Sequence, residues 1–404
     1  MRILFISQLF DPEYSIKGMS LMRHWVEQGH DVEVLTTFPN YPTGKLFSGY
    51  SIGLRKNEYI DGVKVVRLWS HISHSKSRLS RAFTYLSFTV MALFAALLSK
   101  KADLVYTYHP QATTGLIGLA MRSLRGTPFV TDVQDLWPDA LVATGMKKDG
   151  WLIYLIDRWC RSVYRAADQV VVLSEGFRDT LIKRGVDGSK VNVVYNWCPE
   201  EDKVAEIFTA DKKLKHPPGA AHVMFAGNMG AAQSLRALID AAASFPPNLL
   251  QLSLYGGGVE RDELSRYVLE HGMKNVHING YVSSSEILAV LNEADILAVH
   301  LRDDLLFRIT IPSKTQTSMA MGKPILMAVG GEANDLIKKS GAGNTAEPGD
   351  VESIKRAMHE FIDKRSEWGG QGQKARDFYL RYFAAIVNYK KLDAVLAKVV
   401  SYEC

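Results

Sequence analysis

Short apolar runs rich in β-branched residues alternate with helical patterns along the whole chain, and this alternation constrains the fold most. A first series of runs covers residues 3–6, 32–35, 63–68, 104–106, 129–132 and 170–173. A second series covers residues 223–227, 252–256, 276–278, 296–299 and 324–328. Strands that alternate with helices form parallel sheets with crossover helices. The sequence therefore predicts an α/β chain with two doubly wound, Rossmann-like domains, joined by a linker from about Asn196 to about Pro218 that is rich in charges and Pro.

Size, charge and cysteine content narrow the class of protein. The chain has 404 residues, enough for two domains with apolar cores, and a net charge of +5. Its basic residues are scattered, so nucleic-acid binding is not expected. Cys160, Cys198 and Cys404 lack metal-site spacing and indicate a reducing compartment. The N-terminal apolar run is too short for a signal peptide, and we predict a cytoplasmic location.

Residues 82–98 are apolar on nearly all sides. Basic residues flank them, namely Arg78, Arg81, Lys100 and Lys101. A transmembrane helix needs about 20 such residues, and spanning would put the neighbouring strands on opposite sides of a bilayer. We therefore do not expect a span. Two interpretations stay open, a helix buried against the sheet and an interfacial helix that docks on a membrane.

Polar residues at strand ends in the first domain supply candidates for catalysis, because open α/β sheets bind ligands there. Asp135 follows the fifth run and is the predicted base; the alternative is an N-cap for the next helix. His109 ends the preceding strand and is a second candidate, although a lone His is commonly structural. The loop at residues 8–18 lacks a G-x-G-x-x-G pattern, and the chain has no Walker A motif. Neither a dinucleotide cofactor nor P-loop chemistry is expected, and this loop is predicted to touch a second substrate.

In the second domain, residues 310–326 read as a polar helix N-terminus that leads to a C-cap at Gly322 and a buried strand. Pro312 and Ser313 fit the N′ and N-cap positions. Free backbone N–H groups with Lys314 beside them would hold a phosphate. The alternative is an ordinary capped core helix.

Small or polar residues also follow several strands of the second series and permit close approach of a ligand to the backbone. These residues are Gly227, Asn228, Gly230, Gln233, Gly257 and Tyr281. Together with Ser313 and Lys314 they predict a nucleotide-diphosphate site on one rim of the sheet, with Tyr281 near the base.

Four motifs carry a resemblance to a known family. They are residues 38–45 (FPNYPTGK), 135–138 (DLWP), 225–230 (FAGNMG) and 311–324, which contains IPSK and MAMGKP. In this order and at these separations they resemble glycosyltransferase family 4 of the GT-B fold. Within it, they resemble the WbuB-type N-acetyl-L-fucosaminyltransferases of O-antigen and capsule synthesis.

The resemblance implies a domain plan and a division of substrates. Residues 1–198 would bind the acceptor and residues 199–375 the nucleotide sugar, with a cleft between them; residues 376–404 would form a C-terminal helix that packs back toward the first domain. No metal and no cofactor are implied, because GT-B enzymes stabilise the leaving diphosphate with positive side chains and helix dipoles. Glu13, Lys17, Asn40 and Tyr41 are then expected on the acceptor side.

The sequence departs from the family pattern at three places. Family 4 commonly has two glutamates eight residues apart around the helix of Lys314, where this chain has Ile309 and Thr317, so that Gln316 or Thr317 would bond the ribose. The usual Arg and Lys after the first strand of the second domain are absent. Gln134 stands where a His often precedes the aspartate. These departures leave open whether the reaction retains or inverts the anomeric configuration, with Asp135 as the base for inversion.

The sequence thus predicts a metal-independent transferase on the cytoplasmic face of the inner membrane. It would move a deoxy N-acetylamino sugar, N-acetyl-L-fucosamine, from a UDP donor to a polyprenyl-diphosphate-linked sugar. An epimerase or hydrolase of the same fold and a membrane-docked scaffold are alternatives. An epimerase has no need of a lipid-facing helix, and a scaffold should not bind UDP.

Overall fold

The computed structural model describes residues 1–41, 44–72, 78–109, 111–143, 146–147, 150–209, 219–283 and 286–401. Pro42, Thr43, Cys404 and residues 210–218 of the predicted interdomain linker lie outside this part of the chain. Two compact units are present. One contains Met1–Tyr195 and Tyr389–Cys404, and the other contains Asn196–Asn388. The sequence placed the divisions at residues 198 and 375.

The first unit is built on an eight-stranded sheet. Its strands are β1 (Arg2–Ile6), β2 (Asp31–Thr37), β3 (Arg55–Ile60), β4 (Val63–Leu68), β5 (Leu104–His109), β6 (Phe129–Val133), β7 (Gln169–Val172) and β8 (Val191–Val193). They lie in the order β3-β4-β2-β1-β5-β6-β7-β8, and every neighbouring pair is parallel except β3 with β4. Its helices are α1 (Met19–Glu27), α2 (Arg78–Leu98), α3 (Thr113–Arg125), α4 (Asp139–Ala143), α5 (Trp151–Ala166) and α6 (Glu175–Lys183).

The second unit is built on a six-stranded parallel sheet in the order β11-β10-β9-β12-β13-β14. Its strands are β9 (Ala221–Ala226), β10 (Leu250–Tyr255), β11 (Val276–Ile278), β12 (Ile296–His300), β13 (Ile325–Ala328) and β14 (Gly343–Thr345). Its helices are α7 (Glu201–Thr209), α8 (Leu235–Ala243), α9 (Arg261–Glu270), α10 (Ile287–Asn292), α11 (Leu305–Arg308), α12 (Ser313–Ala320), α13 (Glu332–Ser340), α14 (Val351–Asp363) and α15 (Trp368–Phe378). A last helix, α16 (Ala385–Ser401), lies mostly in the first unit, where Asp393 Oδ2 is 2.8 Å from His24 Nε2.

Every strand predicted from an apolar run is present, and the three additional strands have a physical reason for being missed. β3 is an edge strand of mostly exposed, charged residues, so it has no apolar run. β8 and β14 are only three residues long. The predicted linker is also corrected in part, because residues 201–209 form helix α7.

Helix α2 is buried on one face and exposed on the other. It connects β4 to β5 of the same sheet, so a membrane span would separate two strands that this sheet holds together. Phe88, Ala92 and Ala96 are buried. By length and composition alone, the helix could cross a membrane. Only 33% of its most apolar window is buried inside the protein. A continuous apolar stripe faces solvent, formed by Leu79, Phe83, Leu86, Val90, Phe94 and Leu98.

Candidate functional site

Two glycine turns of the second unit stack at the carboxyl ends of β9 and β10. Gly227 and Gly256 both have φ +140°, which L side chains rarely adopt. Gly227 N–H donates to Tyr255 O at 2.8 Å, and a Cβ on Gly256 would collide with Gly227 O. The packing leaves no room for side chains at Gly227 and Gly256, so the two backbones form a tight rim that a ligand can approach closely. We call this feature the glycine rim.

Lys314 lies directly on this rim, and its predicted role in binding phosphate stays a prediction. Its Nζ is 3.6 Å from the centroid of the Phe225 ring, and a Cβ on Gly227 would be 2.7 Å from that Nζ. Within the described part of the chain, Lys314 makes no ion pair or hydrogen bond. The side chain is half-buried, and desolvation lowers its pKa to about 7. A desolvated ammonium without a counter-charge attracts an anion.

The start of α12 differs from the prediction by one residue. Pro312 is the N-cap and Ser313 is the first helical residue, so Ser313 is not the cap. Pro312 has a helix-compatible φ of −60°, and its extended ψ of 137° places it just outside the helix. The N–H groups of Ser313 and Lys314 lie in the first turn, where helix geometry leaves them without an intrahelical acceptor. The positive end of α12 thus reinforces the charge of Lys314.

Gln316 and Thr317 are engaged within the protein. Gln316 is 1% exposed, and in the amide orientation that satisfies its neighbours its Nε2 donates to Pro312 O at 2.8 Å. Thr317 hydrogen-bonds through its side chain to the Cys198 thiol. Their predicted contacts with a ribose would require these bonds to be exchanged.

The other predicted donor-side residues surround the glycine rim or lie further out. Gln233 Oε1 accepts from Asn228 Nδ2 and from Gly230 N–H, both at 3.2 Å, and so shapes the turn after β9. Met229 N–H donates to Gly257 O at 2.7 Å. Tyr281 is 71% exposed and follows Gly280, whose carbonyl accepts from Gly256 N–H at 3.0 Å.

His300 was not predicted from the sequence, yet it holds this rim in place. It ends β12 and is 1% exposed. Its Nδ1 lies 2.6 Å from Gln233 O, and its Nε2 accepts from Gly349 N–H at 3.3 Å, which fixes the neutral tautomer with a proton on Nδ1. Burial lowers its pKa, with a further small lowering from Lys314. In the sequence, a single His after an apolar run looks the same whether it holds a turn in place or is an ordinary core residue.

In the first unit, Asp135 is the residue that the sequence predicts as the catalytic base. It lies two residues beyond β6, and its carboxylate makes no hydrogen bond or ion pair with any residue that the structure describes. It is therefore not a helix cap: α4 begins only at Asp139. The residue is exposed to solvent, but the surrounding protein desolvates its carboxyl and raises the pKa to about 6. The carboxylate is free to accept a proton.

Glu13 holds a neighbouring loop in place through hydrogen bonds to its backbone. It is 3% exposed, and its Oε1 accepts from the backbone N–H groups of Asn40 and Tyr41, both at 2.6 Å. Burial raises its pKa against the effect of these bonds. Asn40 Nδ2 donates to Phe38 O at 2.8 Å, whereas the Tyr41 side chain is 51% exposed. Of these three predicted acceptor-side residues, Tyr41 is the one whose side chain a ligand reaches most easily.

Lys17 lies in the interior of the first unit and is not exposed to an acceptor. Its ammonium pairs with Asp132, and both side chains are 0% exposed. Tyr106 OH also donates to Asp132, and Gln134 Nε2 donates to Asp132 Oδ1 at 2.6 Å. Burial lowers the pKa of Lys17, and Asp132 offsets this in part. The network connects the loop before α1 to the residue that precedes Asp135.

Lys17→Met is expected to destabilise the protein by about 3–5 kcal/mol, because it leaves the Asp132 carboxylate buried without its counter-charge. The urea midpoint at unchanged slope measures this loss. The matched control is Lys64→Met, whose ammonium is 30% exposed and pairs with the buried Glu33 carboxylate at 2.7 Å; Arg2 continues to pair with Glu33 in this variant. We expect a loss of about 1 kcal/mol or less for the control. Equal losses in the two variants would contradict this account of the Lys17 pair.

The backbone of His109 ends β5 beside Val133, but its side chain lies outside the described part of the structure. Its candidacy as a catalytic group stays a prediction. Among the described residues, no group of three or more His, Cys, Asp or Glu side chains is arranged to hold a metal ion.

Comparison with protein families covers both units. A model described as a glycosyl transferase 4-like domain matches residues 19–197, and one described as glycosyl transferases group 1 matches residues 220–364. The chain belongs to glycosyltransferase family 4 of the GT-B fold. This confirms the fold and the enzyme class predicted from the sequence; the WbuB type within the family stays a prediction.

Two curated relatives and one solved structure illustrate the likeness of this glycosyltransferase to known proteins. A putative colanic acid biosynthesis glycosyl transferase of Escherichia coli K12, WcaI, is 26% identical over 337 residues, or 80% of this chain and 82% of its own. A probable glycosyltransferase of Pseudomonas aeruginosa, WbjE, is 24% identical over 287 residues, or 70% of this chain and 71% of its own. Anabaena HepE, solved with UDP and glucose, superposes with a TM-score of 0.68 at 16% identity, covering 98% of this chain and 99% of HepE.

Proposed function

We propose that this glycosyltransferase transfers N-acetyl-L-fucosamine, a deoxy N-acetylamino sugar, from UDP to a polyprenyl-diphosphate-linked sugar. The reaction would serve lipopolysaccharide or exopolysaccharide synthesis at the cytoplasmic face of the inner membrane. The observation that carries the proposal is the desolvated Lys314 ammonium without a counter-charge on the glycine rim. The name of WcaI, a putative colanic acid enzyme, and the UDP bound to HepE support the pathway and the donor.

The donor diphosphate fits the second unit for electrostatic reasons. Lys314 and the N–H groups at the start of α12 point positive charge at the same rim, where Gly227 and Gly256 let phosphate oxygens approach the backbone. Negative charge develops on the diphosphate as its bond to the sugar breaks, and a preorganised cation stabilises that charge most strongly in the transition state. We propose that this arrangement makes a metal ion unnecessary.

The acceptor hydroxyl would be activated in the first unit by Asp135. Its carboxylate accepts the hydroxyl proton while the acceptor oxygen bonds to the anomeric carbon and UDP departs. A base works best when its pKa lies near the working pH, and a pKa of about 6 keeps Asp135 ionised at pH 7 while making it a stronger base than an ordinary aspartate. This direct displacement would invert the anomeric configuration.

The test is a transfer assay with purified protein, a synthetic GlcNAc-diphosphate-lipid and separate UDP-sugar donors, read by mass spectrometry. UDP-N-acetyl-L-fucosamine is expected to add one N-acetylated deoxyhexose to the acceptor, with UDP-glucose and UDP-galactose much poorer donors. Product from another donor alone would replace the sugar in the proposal. Release of free sugar or an altered nucleotide sugar without acceptor product would favour a hydrolase or an epimerase.

The exposed stripe of α2 is proposed to dock the enzyme on the membrane. Val90→Ser combined with Phe94→Ser is expected to lower partitioning into vesicles of anionic lipid about tenfold or more, because both apolar side chains lose their favourable transfer from water. Co-sedimentation with vesicles measures the change. Leu269→Ser, on α9 of the second unit, removes an equally apolar side chain that is 81% exposed and is the matched control. Unchanged partitioning of the double variant would rule out this face as the docking surface.

A further inference from the structure

The start of helix α5 exposes an apolar surface that the site described above does not use. Trp151, Tyr154 and Leu155 are 75%, 63% and 47% exposed. Ile153 and Ile156, on the other side of the same turns, are buried. Large apolar side chains that lie this close together in water mark an interaction surface.

The exposed face of α5 changes from apolar to basic along its length. Trp151, Leu155, Arg158 and Arg165 share one face, because residues three, four and seven apart are neighbours on a helix. Both arginines are exposed, and neither forms an ion pair with any residue that the structure describes. An apolar, aromatic segment followed by cations is typical of a helix at a bilayer surface, where rings and leucines enter the acyl boundary and cations meet the headgroups.

Helices α2, α3 and α5 form one layer on the sheet of the first unit. They belong to the successive connections from β4 to β7, which cross the sheet in one direction, so right-handed crossovers place all three on the same face. Arg125 of α3 donates to Ser99 O, just after α2, at 2.9 Å. A Cβ on Gly115 of α3 would lie 2.6 Å from Val163 of α5. The apolar stripe of α2 and the start of α5 therefore face solvent on the same side of this unit.

The same three helices are strongly basic. Their sequences contain seven arginines and a single carboxylate, Asp157, which pairs with Arg161 at 2.6 Å. Helix α6, the next crossover, has two acidic and two basic residues. The excess positive charge thus coincides with the exposed apolar residues. A bilayer that contains anionic lipid matches both properties, whereas an anionic protein or a nucleic acid would match the charge alone.

Both apolar surfaces belong to helices that contact the loop after Asp135. The Trp137 ring lies 6.1 Å from the Tyr85 ring of α2 and 6.2 Å from the Trp159 ring of α5. Because α3 lies between α2 and α5, their axes are separated by two helix spacings, roughly 20 Å. One helix on a bilayer can roll about its own axis, and a second contact beside it stops the roll.

We propose that the start of α5 is a second membrane anchor, which inserts Trp151, Tyr154 and Leu155 into an anionic bilayer while Arg158 and Arg165 contact its headgroups. Together with α2, this anchor fixes the orientation in which the Asp135 loop meets a lipid-linked acceptor. The inference rests on the proposed membrane location and deepens it by naming a second surface and the lipid class.

The first experiment measures co-sedimentation with vesicles of phosphatidylethanolamine and phosphatidylglycerol. Trp151→Ser combined with Leu155→Ser is expected to lower partitioning about tenfold or more, because both side chains lose their favourable transfer from water. The matched control is Tyr59→Ser combined with Leu54→Ser, an aromatic residue and a leucine that are 76% and 71% exposed at the edge strand β3. Equal losses in the two double variants, or no loss in the first, would overturn the inference.

Tryptophan fluorescence reports insertion directly and keeps the side chain apolar. Among the described residues, Trp151 is the one tryptophan that is more than half exposed. Lipids brominated in their acyl chains should therefore quench the emission of the wild type on anionic vesicles, and Trp151→Phe should lose this quenching while it still binds. The same quenching in Trp151→Phe would contradict insertion of α5.

The arginines are tested by changing the charge of the lipid. Arg158→Gln combined with Arg165→Gln is expected to weaken partitioning into the phosphatidylglycerol vesicles about tenfold, because each cation near an anionic surface contributes to binding. Partitioning into vesicles of phosphatidylcholine alone should stay unchanged. An equal loss on both kinds of vesicle would contradict contact with anionic headgroups.

These measurements need no donor and no acceptor, so they separate the inference from the proposed function. A wild type that binds vesicles through α5 but forms no product would count against the proposed transfer alone. Product formation with normal partitioning of the Trp151 and Leu155 double variant would count against the anchor alone. Sedimentation equilibrium without lipid should show a monomer; a dimer that this double variant dissociates would assign the face to a second copy of the chain and overturn the inference.

Discussion

Replacing Asp135 with Asn is expected to lower kcat by about 10³-fold while UDP binding stays within about twofold of the wild type. The amide has nearly the shape of the carboxylate but does not take a proton from the acceptor hydroxyl, and a positioned general base contributes about 10²- to 10⁴-fold. The proposed diphosphate contacts belong to the second unit, so the donor should bind normally. Steady-state transfer kinetics and UDP calorimetry measure the two quantities.

The pH profile gives Asp135→Asn a second readout. Asp135 is active when ionised, and its pKa is raised to about 6, so wild-type kcat/KM should fall as pH decreases through about 6. The residual kcat/KM of Asp135→Asn should not show this decrease at low pH. Asp139→Asn is the control; its carboxylate accepts from Arg184 Nη2 at 2.6 Å and has no proposed role in transfer. Near-normal activity of Asp135→Asn would show that this carboxylate is not the base.

Replacing Lys314 with Ala is expected to weaken UDP binding about tenfold or more and to lower kcat/KM by about 10²- to 10³-fold. The variant removes the cation on the glycine rim, and loss of a preorganised electrostatic group typically costs about this much in rate. Donor kinetics and UDP calorimetry provide the measurements. Lys364→Ala is the control, because its ammonium lies at the surface and pairs with Glu360 at 2.9 Å. Unchanged donor kinetics would remove Lys314 from the site.

The pKa of Lys314 also predicts how UDP affinity depends on pH. In the free protein desolvation lowers this pKa to about 7, so UDP must bind the fraction that is protonated. Phosphate groups that titrate near pH 6 are fully ionised above pH 7. Affinity of the wild type should therefore fall about tenfold per pH unit well above pH 7, and Lys314→Ala should show no such slope. A flat wild-type profile between pH 7 and pH 9 would contradict the role of this ammonium.

The fold was predictable from the sequence because buried parallel strands leave unmistakable apolar runs. The runs at residues 3–6 and 223–227 correspond to the first strand of each unit, and the alternation with helices dictates parallel sheets. β3 was missed because its register comes from pairing with β4 rather than from its own exposed residues. Tertiary pairing decided the structure there.

Two candidates could be chosen from the sequence because a carboxylate or an ammonium stands at a recognisable boundary of an element. Asp135 follows the end of β6 and Lys314 lies in the first turn of α12, and their roles in transfer stay predictions. Lys17 shows where the sequence was insufficient, because a lysine in a polar loop gives no sign that it pairs with Asp132, 115 residues away. His300 likewise depends on Gln233 and Gly349, which only the folded chain brings together.

Asp135 is proposed to activate the acceptor for direct displacement of UDP. Proton NMR of the purified transfer product, with the coupling constant of the newly linked sugar compared with that of the donor, tests it most directly. We expect the inverted anomeric configuration, because a single displacement by the acceptor oxygen inverts the anomeric carbon. A product that retains the donor's configuration would contradict Asp135 as the base of that displacement.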